Sequence, residues 1–569
     1  MRISSFHFAL NLALGTALMT SVAFPAFSAT EAQRLPGVID RSLEDAISEE
    51  KIQQEDTAPA EIRGAKEPEL EIKKGDDKEK VATINTIRFS GNTVVDDAML
   101  QEVAQGYLGR PLTKADLAKL KYDLTRAFYD RGYILVKVIT PPQDLSDGTM
   151  DVEIYEAKIG EVTTHNEGVV RPFLVRAIVR KVETGKVFNE DDAEEMVRGL
   201  NDLKGVQASV NLQPSSEFLR TDLHVAVEKA DEDENYVMVD NYGAELTGRN
   251  IATVHLEKSN LLGIGETFSF HGRHSNDNLW STEFGFTAPL GLSNVRLETS
   301  YLHSENEIGD RLAALNADGE SDIAVVALAS DVVNTQKLKA TVRGGMETRT
   351  HKSFLSNVQD TKDDVRQAFV EGTYLRRADW GLYYGGLKVK KGVDIFGASS
   401  KGDTGNSRAL GEPEAWIVQP VIYTRFEPIE NGRLTALAQG QLATNTLLSS
   451  DLFVLGGYNN VRGFEPAQET GESGYNFSVE YAHTLPLSND DWTVRFGPWF
   501  DGGTVYNRLG GQVEDKNLYS AGLGMEMQTQ LHPKLDDTTL RLDWARPIGG
   551  YTSQQVESNF FYVRLKQAF

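Results

Sequence analysis

The residues best suited to do chemistry in this sequence are a cation and an acid far apart along the chain. Arg462 lies in a Gly- and Asn-rich stretch, with Gly456-Gly457 before Val461-Arg462-Gly463-Phe464, and Asp501 sits in Phe500-Asp501-Gly502-Gly503. Around Asp501 the apolar Val494, Phe496, Pro498 and Phe500 share one parity, while Thr493, Arg495, Trp499 and Asp501 share the other. On a strand, Asp501 therefore faces away from the apolar side. Arg462 reaches it only if its loop folds back onto the polar face. A guanidinium presents a planar fork of donors to a carboxylate, so such a pair fixes orientation as well as charge. Glu480 has the polar parity of a strand whose other face is Tyr475, Phe477, Val479 and Tyr481. It either joins the pair or stands as a solvated wall residue.

Other chemistry finds little support. There is no Gly-x-Ser-x-Gly elbow, no His-Glu-x-x-His helix and no phosphate loop, and the 10 histidines lack ligand spacing. With Cys 0, disulfides and thiolate metal sites are excluded. No metal, no cofactor and no catalysis are expected. Acidic residues number 83 against 58 basic, a net charge of −25 that repels nucleic acid and favours solubility.

The elements that must position these groups begin after a leader. Arg2, an apolar run from Phe8 to Phe24 and the small residues of Ala26-Phe27-Ser28 read as a signal peptide over 1–28. In 29–54, Ser42 and Asp45 can cap a short helix with a thin apolar stripe of Leu43 and Ile47. Residues 55–83, rich in Pro, Lys and Glu, read as a flexible linker. A compact unit over 84–157 has the order β-α-α-β-β: a strand from Ile84, a helix around Asp97, a second helix capped by Thr113, then strands from Tyr133 and Thr149. Leu117, Leu120, Leu124 and Phe128 form the buried face of that second helix. A looser copy over 158–230 has helices from Pro172 to Val182 and from Asn189 to Leu203.

Residues 231–569 alternate in polarity with period two almost to the terminal Phe569. Phe268 and Phe270 oppose His271 and Arg273; Leu540, Leu542 and Trp544 oppose Arg541 and Asp543. One face greasy and the other often charged fits a cylinder with lipid outside and water within. At ~21 residues per strand and turn, this segment holds about 16 antiparallel strands.

Four motifs stand in order: Pro141-Pro142-Gln143-Asp144-Leu145; Asp240-Asn241-Tyr242-Gly243 with Asn260-Leu261-Leu262-Gly263; Gly456-Gly457 with Val461-Arg462-Gly463-Phe464; and Phe500-Asp501-Gly502-Gly503 with Val505. Together they resemble the transporters of two-partner secretion, the filamentous-haemagglutinin and haemolysin exporters of the outer-membrane insertase superfamily. Gln567, on the outward parity of the last strand, and Ala157, where a glycine is common, depart from the family pattern.

The resemblance implies a membrane β-barrel preceded by two α/β periplasmic polypeptide-transport (POTRA) domains and an N-terminal helix that plugs the pore. It implies that Arg462 pairs with Asp501 from an infolded extracellular loop as a conformational lock, with Gly456, Gly457 and Gly503 as its turns. In a wet lumen such a pair is worth about 1 kcal/mol, or somewhat more if partly shielded, and its role is register and conformation rather than bulk stability. The partners implied are a large secreted exoprotein of adhesin or haemolysin type, outer-membrane lipid and the barrel-assembly machinery. Export of an unfolded partner to the cell surface is the implied function. Two rivals are a barrel-assembly insertase, which shares Arg462 and Asp501, and a passive porin, which has no use for tandem periplasmic domains.

Overall fold

The computed structural model describes residues 61–63, 68–70, 76, 79–230, 233–291, 294–335, 337–378, 380–487, 491–509, 512–531, 537–550 and 559–569. The expected signal peptide and the helix carrying Leu43 and Ile47 lie outside the described residues.

The first module runs β1 (Thr86–Ser90), α1 (Asp97–Ala104), α2 (Lys114–Tyr129), β2 (Val136–Ile139) and β3 (Thr149–Glu156). Helix α2 starts at Thr113 because the two ends of a capping box meet there. Thr113 Oγ1 accepts the Asp116 N–H at 3.2 Å, and Asp116 Oδ2 accepts the Thr113 N–H at 2.8 Å. Leu120, Leu124 and Phe128 are buried with Ile87 and Val152, whereas Leu117 is only partly covered. β1 and β2 begin later than the sequence alternation suggests because turns claim their first residues. Asn85 N–H bonds Gly148 O at 2.8 Å, and Tyr133 N–H bonds Phe128 O at 3.1 Å. In the sheet β3 lies between a parallel β1 and an antiparallel β2. Past the end of β2, Gln143 accepts the Asp151 N–H at 2.6 Å and donates to Asp151 O at 2.8 Å, doing the work of a missing strand.

The second module repeats the order as β4 (Lys158–Asn166), α3 (Pro172–Val179), α4 (Glu190–Asn201), β5 (Val206–Pro214) and β6 (Arg220–Lys229). Both helices stop short of the sequence expectation, since Val182 and Leu203 sit in tight turns after the last helical residues. β6 lies between a parallel β4 and an antiparallel β5. On the outer edge of β5 the linker adds a parallel strand, Glu61 opposite Ser209 through Arg63 opposite Asn211. Here the structure departs from a wholly flexible linker, because the unpaired edge of β5 offers backbone groups to any extended segment within reach. The module is seated on the barrel through Asn260-Leu261-Leu262-Gly263. Arg171 Nε donates to Leu262 O at 2.8 Å, and Asn260 Nδ2 donates to Val169 O at 2.7 Å.

The rest is a closed barrel of antiparallel neighbours. Its strands are β7 (Tyr236–Asp240), β8 (Ile251–Ser259), β9 (Thr267–Ser275), β10 (Leu279–Pro289), β11 (Val295–Glu307), β12 (Ala317–Asn334), β13 (Leu338–Leu355) and β14 (Val358–Ala378). They continue as β15 (Gly381–Gly392), β16 (Trp416–Ile429), β17 (Gly432–Ala443), β18 (Ser473–Thr484), β19 (Trp492–Leu509), β20 (Gln512–Thr529), β21 (Thr538–Gly550) and β22 (Phe560–Ala568). β7 closes the cylinder on β22, Tyr236 opposite Ala568 to Asp240 opposite Arg564. Alternation decides which side each residue takes. Phe284, Val326, Ile422 and Phe561 are exposed on the outside, and Phe270 meets Phe284 across strands at 5.2 Å between ring centroids. About 9–11 residues suffice for a strand to cross a bilayer. β14, with 21, carries the wall well past it.

Candidate functional site

The loop of residues 444–472, between β17 and β18, turns inward. A short antiparallel ribbon, Phe453–Leu455 with Glu469–Gly471, forms its base. Gly456, Gly457 and Gly463 have φ of +107°, +100° and +87°. Other residues seldom adopt that left-handed range, so these glycines let the chain double back inside the cylinder. Gly503 differs from the turn expected of it. It lies within β19, where a Cβ would stand 2.4 Å from Leu455 Cδ1 and 2.6 Å from Tyr475 O, so its role is close approach of the ribbon to the wall. Val461 and Phe464 are buried with Leu455, Val505 and Leu518, holding the loop tip by apolar contact.

This packing delivers Arg462 to the wall. Its Nε lies 2.7 Å from Asp501 Oδ2 and its Nη2 donates to Asp501 Oδ1 at 2.9 Å, a bidentate grip. The Arg462 N–H adds a bond to Oδ2 at 3.2 Å. Nη1 is 3.0 Å from Glu480 Oε2 and 3.4 Å from Asp543 Oδ1, so Glu480 is in the network as well as on the wall. Ser478, opposite Asp501 in the ladder, donates to Asp501 Oδ1 at 2.7 Å. Arg541 then bridges the remaining acids, its Nη2 lying 2.8 Å from both Glu480 Oε1 and Asp543 Oδ1. Two guanidinium groups and three carboxylates interlock across β18, β19 and β21.

Aromatic rings wall off this cluster. The Arg462 guanidinium carbon is 3.8 Å from the Trp499 ring centroid. Tyr458 donates to Asp543 Oδ2 at 3.1 Å and stacks on Tyr242 at 3.6 Å between centroids. Tyr562 accepts the Gly463 N–H at 2.8 Å. Tyr242 belongs to the Asp240-Asn241-Tyr242-Gly243 motif, so the first and last hairpins and the infolded loop meet at one place.

Burial puts the pair at the shielded end of the energetic expectation. Arg462 is 5% exposed and Asp501 1%, so the pair is not bathed in lumenal water. Removing one partner of a buried pair typically costs about 3–5 kcal/mol, because the other charge is left in a poor medium. Beside the cluster a lumenal cavity of about 490 Å³ is lined by Asp240, Arg273, Arg433 and Lys566, among others.

Sequence reasoning placed Arg462, Asp501 and Glu480 but missed Trp499, Tyr458, Asp543, Arg541, Ser478 and Tyr562. A signal existed for some of them. Trp499 is an aromatic residue on the polar parity of its strand, and Arg541 and Asp543 alternate with Leu540, Leu542 and Trp544.

The model of the family described as haemolysin secretion/activation protein ShlB/FhaC/HecB matches residues 220–527, and that of the ShlB-type POTRA domain matches 82–157. The heme/hemopexin transporter protein HuxB of Haemophilus influenzae (strain 86-028NP) is 22% identical, over 78% of this chain and 80% of its own. The outer membrane transporter CdiB of Dickeya dadantii (strain 3937) is 24% identical, over 79% and 80%. The solved structure of CdiB from Escherichia coli superposes with a TM-score of 0.73 at 18% identity, over 93% of this chain and 98% of that one. This chain belongs to the ShlB/FhaC/HecB family, outer-membrane transporters of two-partner secretion whose POTRA domains lie in the periplasm.

Proposed function

We propose that the chain exports one large secreted partner, of adhesin or haemolysin kind, by holding its lumen shut with the Arg462 loop until the partner engages the periplasmic modules. One observation carries this reading: Arg462, on an infolded loop, grips Asp501 on the inner wall at 2.7 and 2.9 Å. A buried, many-partnered fork of this kind holds or lets go rather than yielding by degrees, which is what a gate requires.

An unfolded partner is captured by strand addition, which rewards any extended backbone with hydrogen bonds and asks little of its sequence. The parallel pairing of Glu61–Arg63 with β5 supports that mode, since this edge already holds an extended segment. In this reading, 1–28 is removed and 29–54 supplies a helix that plugs the pore through Leu43 and Ile47. The POTRA domains run 84–157 and 158–230, and the barrel 231–569. The barrel-assembly machinery inserts that cylinder into outer-membrane lipid. The proposed export uses no covalent step and no cofactor.

Deleting the gene and comparing culture media tests the reading. Loss of one large secreted protein, restored by a plasmid copy, is the expected result. Depletion of many outer-membrane barrels would assign the chain to barrel assembly instead, and a defect confined to small-solute uptake would make it a porin.

A further inference from the structure

The loop between β15 and β16, residues 393–415, buries an arginine. Arg408 is 5% exposed, with its Nη1 2.7 Å from Oε1 of Glu472, whose side chain is 0% exposed. The same guanidinium donates to Leu447 O at 2.7 Å and to Asn507 Oδ1 at 3.2 Å. Glu472 Oε2 accepts the Arg508 N–H at 2.6 Å. Leu447 and Glu472 lie on the two arms of the loop that carries Arg462, one just after β17 and the other just before β18. Asn507 and Arg508 stand at the outer end of β19, the strand that holds Asp501. One guanidinium thus spans both arms and the gripping wall.

A second tie runs beside the first. Asp363 on β14 accepts the Ser407 N–H at 2.9 Å and the Ser407 hydroxyl at 2.5 Å. The Ser407 hydroxyl oxygen in turn accepts the Ser449 N–H at 3.0 Å. The Glu412 N–H reaches Thr446 O at 2.8 Å. Beneath these bonds Ala415 and Ile417 pack on Leu447, Leu452 and Val454.

We infer that Arg408 is the positioning residue of a second latch: the 393–415 loop clasps the arms of the Arg462 loop, which leaves the lumen only after the Arg408–Glu472 pair has parted. The inference rests on the reading that the Arg462 loop moves during export. The physical reason is geometric and electrostatic together. Breaking the Arg462 grip loosens the loop's tip alone, while its arms stay held by a buried pair whose separation strands a charge. The inner lock and the outer clasp must both open before the loop leaves, which guards a large pore against opening on one chance fluctuation.

The absence of cysteine makes a direct test clean. In Ser407→Cys/Ser449→Cys the two thiols are the only ones in the chain. Export of the partner is compared in cells with the pair oxidised and reduced, and single-channel recordings in planar bilayers follow opening of the purified full chain. Oxidation is expected to cut export more than tenfold and reduction to restore it, so the reduced protein controls for folding. Arg408→Glu is expected to raise the frequency of channel openings at least tenfold, and adding Glu472→Arg to bring it back toward the native value. Native-rate export by the oxidised pair, or a swapped double variant no nearer native than Arg408→Glu alone, overturns the inference. Arg462→Ala in the same assays separates the two ideas. Export lost in that variant while the clasp tests fail leaves the lumenal gate standing, and native export there removes the reading beneath both.

Discussion

Arg462 lies against the face of Trp499, 3.8 Å from guanidinium carbon to ring centroid, while its edge grips Asp501. The residue thus uses its flat surface and its donors at once, and lysine reproduces neither. A desolvated stack of this kind contributes about 2 kcal/mol. Trp499→Leu is expected to raise hydrogen exchange across residues 456–465 about thirtyfold, and Trp499→Phe, which keeps an aromatic face, by less. Equal exchange in the two variants would show that the ring acts as mere bulk.

Asp501 and Glu480 do not weigh alike. Asp501 accepts from Arg462 Nε, Nη2 and N–H and from Ser478, whereas Glu480 is shared between Arg462 and Arg541. Hydrogen bonds to charged groups contribute about 1.5–3 kcal/mol net. Asp501→Asn is therefore expected to speed proteolysis of the loop tip by tenfold or more, and Glu480→Gln by a smaller factor. A larger effect from Glu480→Gln would invert the order of importance drawn from the geometry.

Gly503 offers a variant that leaves every charge in place. A methyl there presses on Leu455 Cδ1 and Tyr475 O, and overpacking of this sort costs about 1–3 kcal/mol. Gly503→Ala is expected to loosen the ribbon of Phe453–Leu455 and Glu469–Gly471, read as faster exchange of its amides. Unchanged protection would mean that the wall yields without cost.

Acid should act on the first module through its helix cap. The Arg110 guanidinium, with help from the Thr113 N–H, holds the Asp116 carboxyl well below the usual carboxylate range. A carboxyl lowered in the folded state stabilises it above the ordinary value of 3.8, and that stabilisation fades as pH falls through the depressed one. An anionic side chain in the first turn of a helix contributes up to about 1 kcal/mol. Asp116→Asn is accordingly expected to raise amide exchange in the first turn of α2 about fivefold near neutral pH. The gap from the native chain should narrow steadily below pH ~4. A gap that widens on acidification would reverse the sign.

Much of this architecture was legible because it rests on local rules. Alternation such as that of Phe268 and Phe270 against His271 and Arg273 sorted wall from lumen, and Thr113 announced its helix. The Arg462–Asp501 contact was legible only through parity and resemblance, for nothing in a glycine-rich loop says which way it folds. How far it is shielded was not legible, because burial depends on Trp499, Tyr458 and Tyr562, drawn from three distant segments. Gly503 passed for a turn since its neighbour in the infolded ribbon, Leu455, cannot be read from sequence. The pairing of Glu61–Arg63 with β5 was illegible for a related reason: strand addition needs backbone, and backbone carries no pattern.

Export and barrel assembly measured together in Arg462→Ala and Arg462→Lys test the central claim most directly. Heat-dependent migration on gels reports a folded barrel, and the culture medium reports the secreted partner. The expected result is a normally folded barrel in both variants with export reduced more than tenfold, because neither side chain supplies the fork that Asp501 holds. Native export from a folded Arg462→Ala barrel would contradict the claim that this loop gates the lumen.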